Sequence, residues 1–206
     1  MGIGPRSTLA VLSLLTLVGC GGKKVLMPPR LELAPYQRVG LAVFTIENAK
    51  GSLHEYATQR FAEHVLAAQT GFELLELGEQ EVLLQEAGAT RMDALAVRAI
   101  GDHYGVPAIF LGHITVSGVK PRASLLESLS LSAEVDVRMV VRLVSAESGG
   151  TLWTQSASAT ETVAGVTLSG GAPVFASQDP NDAYGELVNH LVYTLTRDLR
   201  ATWVKQ

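Results

Sequence analysis

Five histidines and a single cysteine are the residues of this 206-residue chain best suited to metal binding or nucleophilic chemistry. His54-Glu55-Tyr56-Ala57-Thr58 opens like the zinc-protease pattern His-Glu-x-x-His, in which two histidines one helical turn apart share a metal. Thr58 stands where the second histidine is required, so a ligand is missing and the stretch reads as the start of a helix. His64, His103, His113 and His190 have no second histidine three or four residues away. His103 reads as a helix-end residue, and His113 as a strand residue satisfied by a neighbour. Gly21-Gly22-Lys23-Lys24 lacks the leading glycine and the Ser/Thr of a phosphate-binding loop, and no Gly-x-Ser-x-Gly elbow occurs. No catalytic, cofactor-binding or metal-ligating residue is assigned, and the chain is expected not to be an enzyme.

That leaves Cys20. Arg6 supplies a basic start, Leu9 to Val18 form an apolar run, and small Gly19 follows, which is the grammar of a cleaved signal peptide. A spanning helix needs about 20 apolar residues, and Gly19, Gly21, Gly22, Lys23 and Lys24 end this run too early. Leu17-Val18-Gly19-Cys20 resembles a bacterial lipobox. Cleavage after Gly19 would leave Cys20 as an N-terminus bearing a diacylglyceryl thioether and an N-acyl chain, and two or more chains hold a protein stably on its membrane. Gly rather than Asp at position 21 resembles an outer-membrane address. The expected organisation is a signal peptide over 1–19, a lipidated cysteine and tether over 20–37, and one domain over 38–206.

The chain carries 16 basic and 20 acidic residues, a net charge of −4, and loss of Arg6 makes it one unit more acidic. That balance argues against a nucleic-acid footprint, which needs a basic patch. Hydrophobic residues make up 47% and aromatic residues only 6%, so the core should be aliphatic. With Cys20 lipidated no disulfide can form, and packing alone must hold the fold.

The elements that follow are legible from periodicity. Arg38 to Ile46 is an apolar run short enough for a buried strand. Ser52 and Glu55 match a capping box ahead of a helix with Ala57, Phe61, Val65 and Ala68 on one face, and Gly71 behind it. Phe72 to Leu77 is a second strand, and Glu79 and Glu81 open a short helix. Thr90-x-x-Asp93 caps a third helix that Gly105 and Pro107 stop. Ala108 to Val116 is the next strand, and 117–127 reads as a loop containing Pro121. Leu129, Leu131, Ala133, Val135, Val137, Met139, Val141 and Leu143 then alternate with polar residues, as in a long half-buried antiparallel strand. Glu147 to Gly150 make a hairpin turn, and Thr151 to Val163 return. Residues 165–180 read as a loop, and Asn181 caps a last helix with Tyr184, Leu187, Val188, Leu191, Leu195 and Leu199 on its apolar face. The order β-α-β-α-α-β-β-β-α predicts a single α/β sandwich with a mixed sheet and a long antiparallel hairpin. Its expected core is Val39, Leu41, Val43, Phe44, Ile46, Phe61, Val65, Leu74, Ile100, Ile109, Leu111 and the odd positions of the long strand.

Four stretches carry a family resemblance: Arg38 to Phe44, Phe72 to Glu76, Ile100 to Ile114 and Val141 to Trp153. In order and spacing they resemble the superfamily of envelope domains that includes CsgG-like, TolB N-terminal and LpoB-like domains. The resemblance implies a non-enzymatic lipoprotein that works through protein contacts in envelope assembly or secretion, and with the outer-membrane address at Gly21 the domain is expected in the periplasm, with an unidentified envelope protein or its own copies as partners. Within the superfamily it implies two more specific alternatives. A CsgG-like pore subunit would place membrane hairpins at 117–132 and 163–180, where Lys120, Pro121 and Arg122 are ill suited to lipid. An LpoB-like activator of a cell-wall synthase would need a longer tether than 21–37.

Overall fold

Alternation decides the long strands, and a bulge decides where they point. The computed structural model describes residues 23–122, 132–164, 166–170 and 172–205. In chain order the elements are β1 (Lys24–Met27), β2 (Arg38–Val43), β3 (Thr45–Glu47), β4 (Lys50–Gly51), α1 (Leu53–Ala68), β5 (Glu73–Glu79), α2 (Gln80–Glu86), α3 (Ala94–Tyr104), β6 (Ala108–Arg122), β7 (Ser132–Ser145), β8 (Thr151–Ala164), β9 (Val166–Ser169), β10 (Ala172–Phe175), α4 (Pro180–Leu195) and β11 (Thr202–Lys205). The main sheet runs β5-β2-β6-β7-β8, with β3 continuing beside β6. Strands β5, β2 and β6 are parallel, and β6, β7 and β8 are antiparallel. This is the expected mixed α/β arrangement with its long hairpin.

Helices pack on both faces, the second face being covered beside β5, β2 and β6 and open along most of β7 and β8. One core joins the sheet to α1 and α4 through Phe61, Val65, Phe110, Val141, Leu187 and Leu191. The other joins it to α2 and α3 through Leu77, Leu83, Val97, Ile100, Ile109 and Leu111. Ala133, Val135, Val137, Met139, Val141 and Leu143 are all buried, as alternation requires. Leu129 and Leu131 lie outside the described residues. Val43, Ile46 and Leu74, expected in the core, are only partly buried.

The expected first strand is broken at Phe44. There the chain leaves β2 and resumes as β3, and two side chains satisfy the backbone it frees. The Phe44 N–H donates to the Thr58 hydroxyl at 2.9 Å, and the Val43 carbonyl accepts from Gln80 Nε2 at 3.1 Å. The Thr58 hydroxyl in turn donates to the His54 carbonyl at 2.7 Å. Thr58 is thus a buried backbone tie, which explains a threonine at this position.

Several expectations are corrected. Of the expected 117–127 loop, residues 117–122 are strand, since β6 runs on to Arg122 paired with Ser132 to Asp136, and 123–127 lie outside the described residues. A bulge between Ser117 and Val119 makes this possible, with Gly118 at φ 69°, where a Cβ would meet Asp136 Oδ2 at 2.5 Å. The extra residue shifts the phase, so Val119 packs on the core while Lys120 points out to Glu134 at 3.3 Å. Residues 165–180 are likewise not all loop, because β9 and β10 form a small hairpin and β10 pairs in parallel with β4. The Ser52 capping box does not form, since its hydroxyl is held at 3.1 Å from the Tyr184 hydroxyl instead. Asp179, not Asn181, caps α4, accepting from the N–H groups of Asn181 and Asp182. The Thr90-x-x-Asp93 box is also displaced: Asp93 itself is the N-cap and α3 starts at Ala94, and the Ala96 N–H above all holds the Asp93 carboxyl below the ordinary range.

Residues 24–37, expected in the tether, include elements built into the fold. Strand β1 pairs antiparallel with β11, an element with no counterpart in the periodicity. Leu33 is fully buried, its N–H donating to Gln69 Oε1 at 2.7 Å. Gln69 Nε2 donates to the carbonyls of Leu31 and Leu199 at 2.5 and 3.0 Å. One amide therefore ties both ends of the chain to the end of α1.

Candidate functional site

At the carboxyl end of the parallel strands, the start of α1 meets the end of β5. This is the edge of an α/β sheet where ligands usually bind. His54, Glu55 and Glu79 each offer one ligand atom here, all within 4.8 Å of one another. His54 Nδ1 is buried and has no hydrogen-bond partner among the described residues. The missing second histidine of the sequence pattern is thus replaced in space by Glu79, a contact that no local spacing reveals. Two features oppose a cation. His54 and Glu55 are consecutive on a helix and project about 100° apart, and they stand at its positive end, where the dipole favours anions.

The remaining histidines are separately accommodated. His113 Nδ1 lies 2.8 Å from the Thr45 hydroxyl, and its Nε2 lies 3.4 Å from Glu47 Oε2. His103 stands exposed in the last turn of α3, edge-on to Tyr104 with ring centroids 4.8 Å apart. His190 is exposed on α4. His64 has a perturbed acidity: burial first, then Arg200 and Arg60, pushes it below its ordinary value of 6.5, while Glu63 acts the other way. The unfolded chain then takes up the proton more readily than the folded one. The contribution of this side chain is fully present above pH 6.5 and is lost as pH falls through the folded value. His64→Gln is expected to flatten the fall of the urea midpoint on acidification from pH 7 to pH 5. An unchanged slope would assign that fall to other groups.

A different kind of site lies along β8. Among the described residues this strand pairs only with β7, so its other edge is unpaired. It contains no proline and no lysine, and Glu161 is its single charged residue. Ala157 and Val163 face the core under α4, while Thr154, Ser156, Ser158, Thr160 and Thr162 are exposed. On the same outer face Thr160 donates to Asp136 Oδ1 at 2.6 Å. The result is a long edge of unpaired backbone N–H and C=O groups flanked by small hydroxyl side chains. Proteins normally block such edges with lysine, proline or cover.

Gly19 and Cys20 lie outside the described residues. No helix among the described residues is long and apolar enough to cross a membrane.

No family model and no curated protein matches the chain. Solved structures do. The PelC dodecamer from Paraburkholderia phytofirmans is similar over 88% of this chain and 99% of its own, at 11% identity and a TM-score of 0.50. The LpoB C-terminal domain from Escherichia coli is similar over 61% of this chain and 84% of its own, at 10% identity and a TM-score of 0.36. A minor lipoprotein from Acinetobacter baumannii is similar over 83% and 98%, at 10% identity and a TM-score of 0.32. What the chain has in common with PelC at this identity is the fold.

Proposed function

We propose that the chain is a non-enzymatic envelope lipoprotein, attached to the outer membrane through a lipid on Cys20, whose periplasmic domain works through protein contacts, among them contacts with its own copies. The observation that carries the reading is the open β8 edge. It is long, nearly uncharged and unblocked, and strand addition along it would satisfy a row of backbone groups at once. A second copy is the partner always present at the same membrane. A solved structure with this fold, PelC, is described as a dodecamer, which supports self-assembly as something the fold accommodates.

Between an accessory module and a pore subunit, the hairpin favours the former. A membrane strand needs its apolar side free for lipid. In β7 and β8 that side is occupied: Val135, Val137 and Val163 are buried in one cluster with Val166, Phe175 and Tyr184. Lys120 also sits within the hairpin on its outer face.

Two measurements test the reading. In cells, Cys20→Ser is expected to leave unprocessed precursor without lipid label, and normal processing of that variant would remove the lipoprotein reading. In solution, the chain from residue 20 is expected to form an oligomer by light scattering. Ser156→Lys with Ser158→Lys is expected to reduce it to monomer with unchanged circular dichroism. A native chain that stays monomeric, or an oligomer indifferent to the two lysines, would sink the edge as the contact.

A further inference from the structure

The β1–β11 ribbon is the least covered part of the fold. Two-stranded ribbons are marginal by themselves in water, yet this one exposes large apolar side chains. Leu26 is 49% exposed and Trp203 is 67% exposed. The register pairs Lys24 with Lys205 and Leu26 with Trp203. Directly opposed residues of an antiparallel pair point to the same side, as do residues two apart. Lys24, Lys205, Leu26 and Trp203 therefore share one face, with two ammonium groups at one end and an aliphatic–indole pair beside them. The other face lines a groove beside the domain, with Met27 and Val204 themselves about half exposed. Met27, Thr202 and Val204 form one wall of that groove of about 280 Å³, which also holds Arg30, Arg197 and Arg200. The acid in that groove, Asp198, is directed inward, where it accepts from Gln155 at 2.6 Å and lies 3.8 Å from Arg30. An overall acidic chain thus concentrates net positive charge and exposed apolar area at one pole.

Chain length says what lies against that pole. Four residue steps separate Cys20 from Lys24, and however the chain runs they span at most about 14 Å. A lipid on Cys20 brings the ribbon to the bilayer surface. We propose that the face formed by Lys24, Lys205, Leu26 and Trp203 is a membrane-interface contact, with the indole and the leucine at headgroup depth and the lysines on anionic lipid headgroups. Trp is favoured at that depth because its body is apolar and its N–H stays wet. Lysine stems can lie along the apolar layer while the ammonium groups remain in the headgroups. A second copy is a poor cover for this face, since a stacked ribbon would set the lysines against the partner's lysines or against its apolar pair, with no acid on the face to match them. The contact would fix which pole of the domain meets the membrane, which a flexible tether alone leaves free.

The inference rests on the reading of Cys20 as the lipidated residue, and the two can fail separately. The chain from residue 20 carrying Cys20→Ser has only the ribbon with which to find a bilayer. Vesicles of phosphatidylethanolamine with phosphatidylglycerol are expected to sediment it and to shift its tryptophan emission to the blue. Trp203→Phe is expected to abolish that shift, because Trp153 sits on the sheet. Lys24→Gln with Lys205→Gln is expected to weaken binding about 25-fold, at about fivefold per lysine near an anionic surface. Leu26→Ser with Trp203→Ser is expected to abolish sedimentation. Absence of any shift or sedimentation would overturn the proposal, as would binding that survives both double variants. It would also fall if Leu26→Ser with Trp203→Ser changed the mass of the lipid-free protein, since the face would then be covered by another copy. Vesicle binding by a protein whose Cys20 takes no lipid in cells would support the contact and remove the lipoprotein reading. A lipidated Cys20 without vesicle binding would do the reverse.

Discussion

Phe110→Ala is expected to remove about 3–5 kcal/mol of stability, the usual cost of emptying a fully buried phenylalanine site, read as a lower urea midpoint at unchanged slope. Phe110 is 0% exposed and stands at the middle of the sheet on β6. Its ring meets Phe61 edge-on at 5.3 Å and Trp153 at 6.1 Å, and Phe61 meets Phe44 at 5.4 Å. These four rings link α1, the break after β2, the central strand and the edge strand. Aromatic residues are scarce in this chain, so aliphatic neighbours would have to refill the space, and they are already fixed by the β6–β7 and β7–β8 registers. A loss below about 1.5 kcal/mol would mean that the site collapses freely and that the rings do not form a rigid chain.

Gly112→Ala is expected to cost about 3 kcal/mol, at the upper end for adding one methyl to a packed core. A Cβ on Gly112 would stand 2.1 Å from Phe44 Cδ1 and 2.4 Å from two further atoms of that ring. The ring cannot swing away cheaply, because the Phe44 backbone is held by Thr58 and the ring itself leans on Phe61. The interior of β6 thus needs a glycine so that Phe44, displaced from the sheet, can lie flat over it. The double variant Gly112→Ala with Phe44→Leu is expected to be more stable than the sum of the two single losses predicts, because the smaller side chain makes room. Strict additivity would show that the clash is relieved elsewhere.

These two residues also mark the limit of what the sequence made legible. Phe44 reads as one more apolar residue of a strand ending at Ile46, and nothing local marks it as the point where the chain leaves β2. The break depends on Thr58 and Gln80, which arrive from α1 and α2. The long alternation from Ala133 to Leu143 was readable because one face of a sheet is buried and the other is not. The Thr90-x-x-Asp93 stretch located the start of α3 because a cap is a contact within three residues, although the cap is Asp93 and not Thr90. Ser52 was misread for the complementary reason, its hydroxyl being drawn to Tyr184, 132 positions away. Lys120, Pro121 and Arg122 looked like a loop by composition, whereas one glycine bulge restores the phase and lets the strand continue. Strands β1 and β11 were invisible, since four-residue strands with no alternation exist only because the chain ends meet. The same contrast runs through the sites. The Leu-Val-Gly-Cys stretch is a linear pattern and lies outside the described residues. The open edge of β8 required knowledge of the strand order, and the approach of Glu79 to His54 required the fold.

The pairing of β1 with β11 has a topological consequence. Lys24 and Lys205 are neighbours across an antiparallel pair, with Cα atoms about 5 Å apart, so a short Gly-Ser link would close the backbone with little distortion. The exposed connector between α2 and α3, at Thr90 and Arg91, could then be opened to give new ends, as circular permutation tolerates at such places. The permuted chain would keep every strand register and both cores. A lipid attached to its new N-terminus would hang the domain from the side of α2 and α3 instead. The fold itself is indifferent to which of its connections is open, and the ribbon face formed by Lys24, Leu26, Trp203 and Lys205 would survive the permutation.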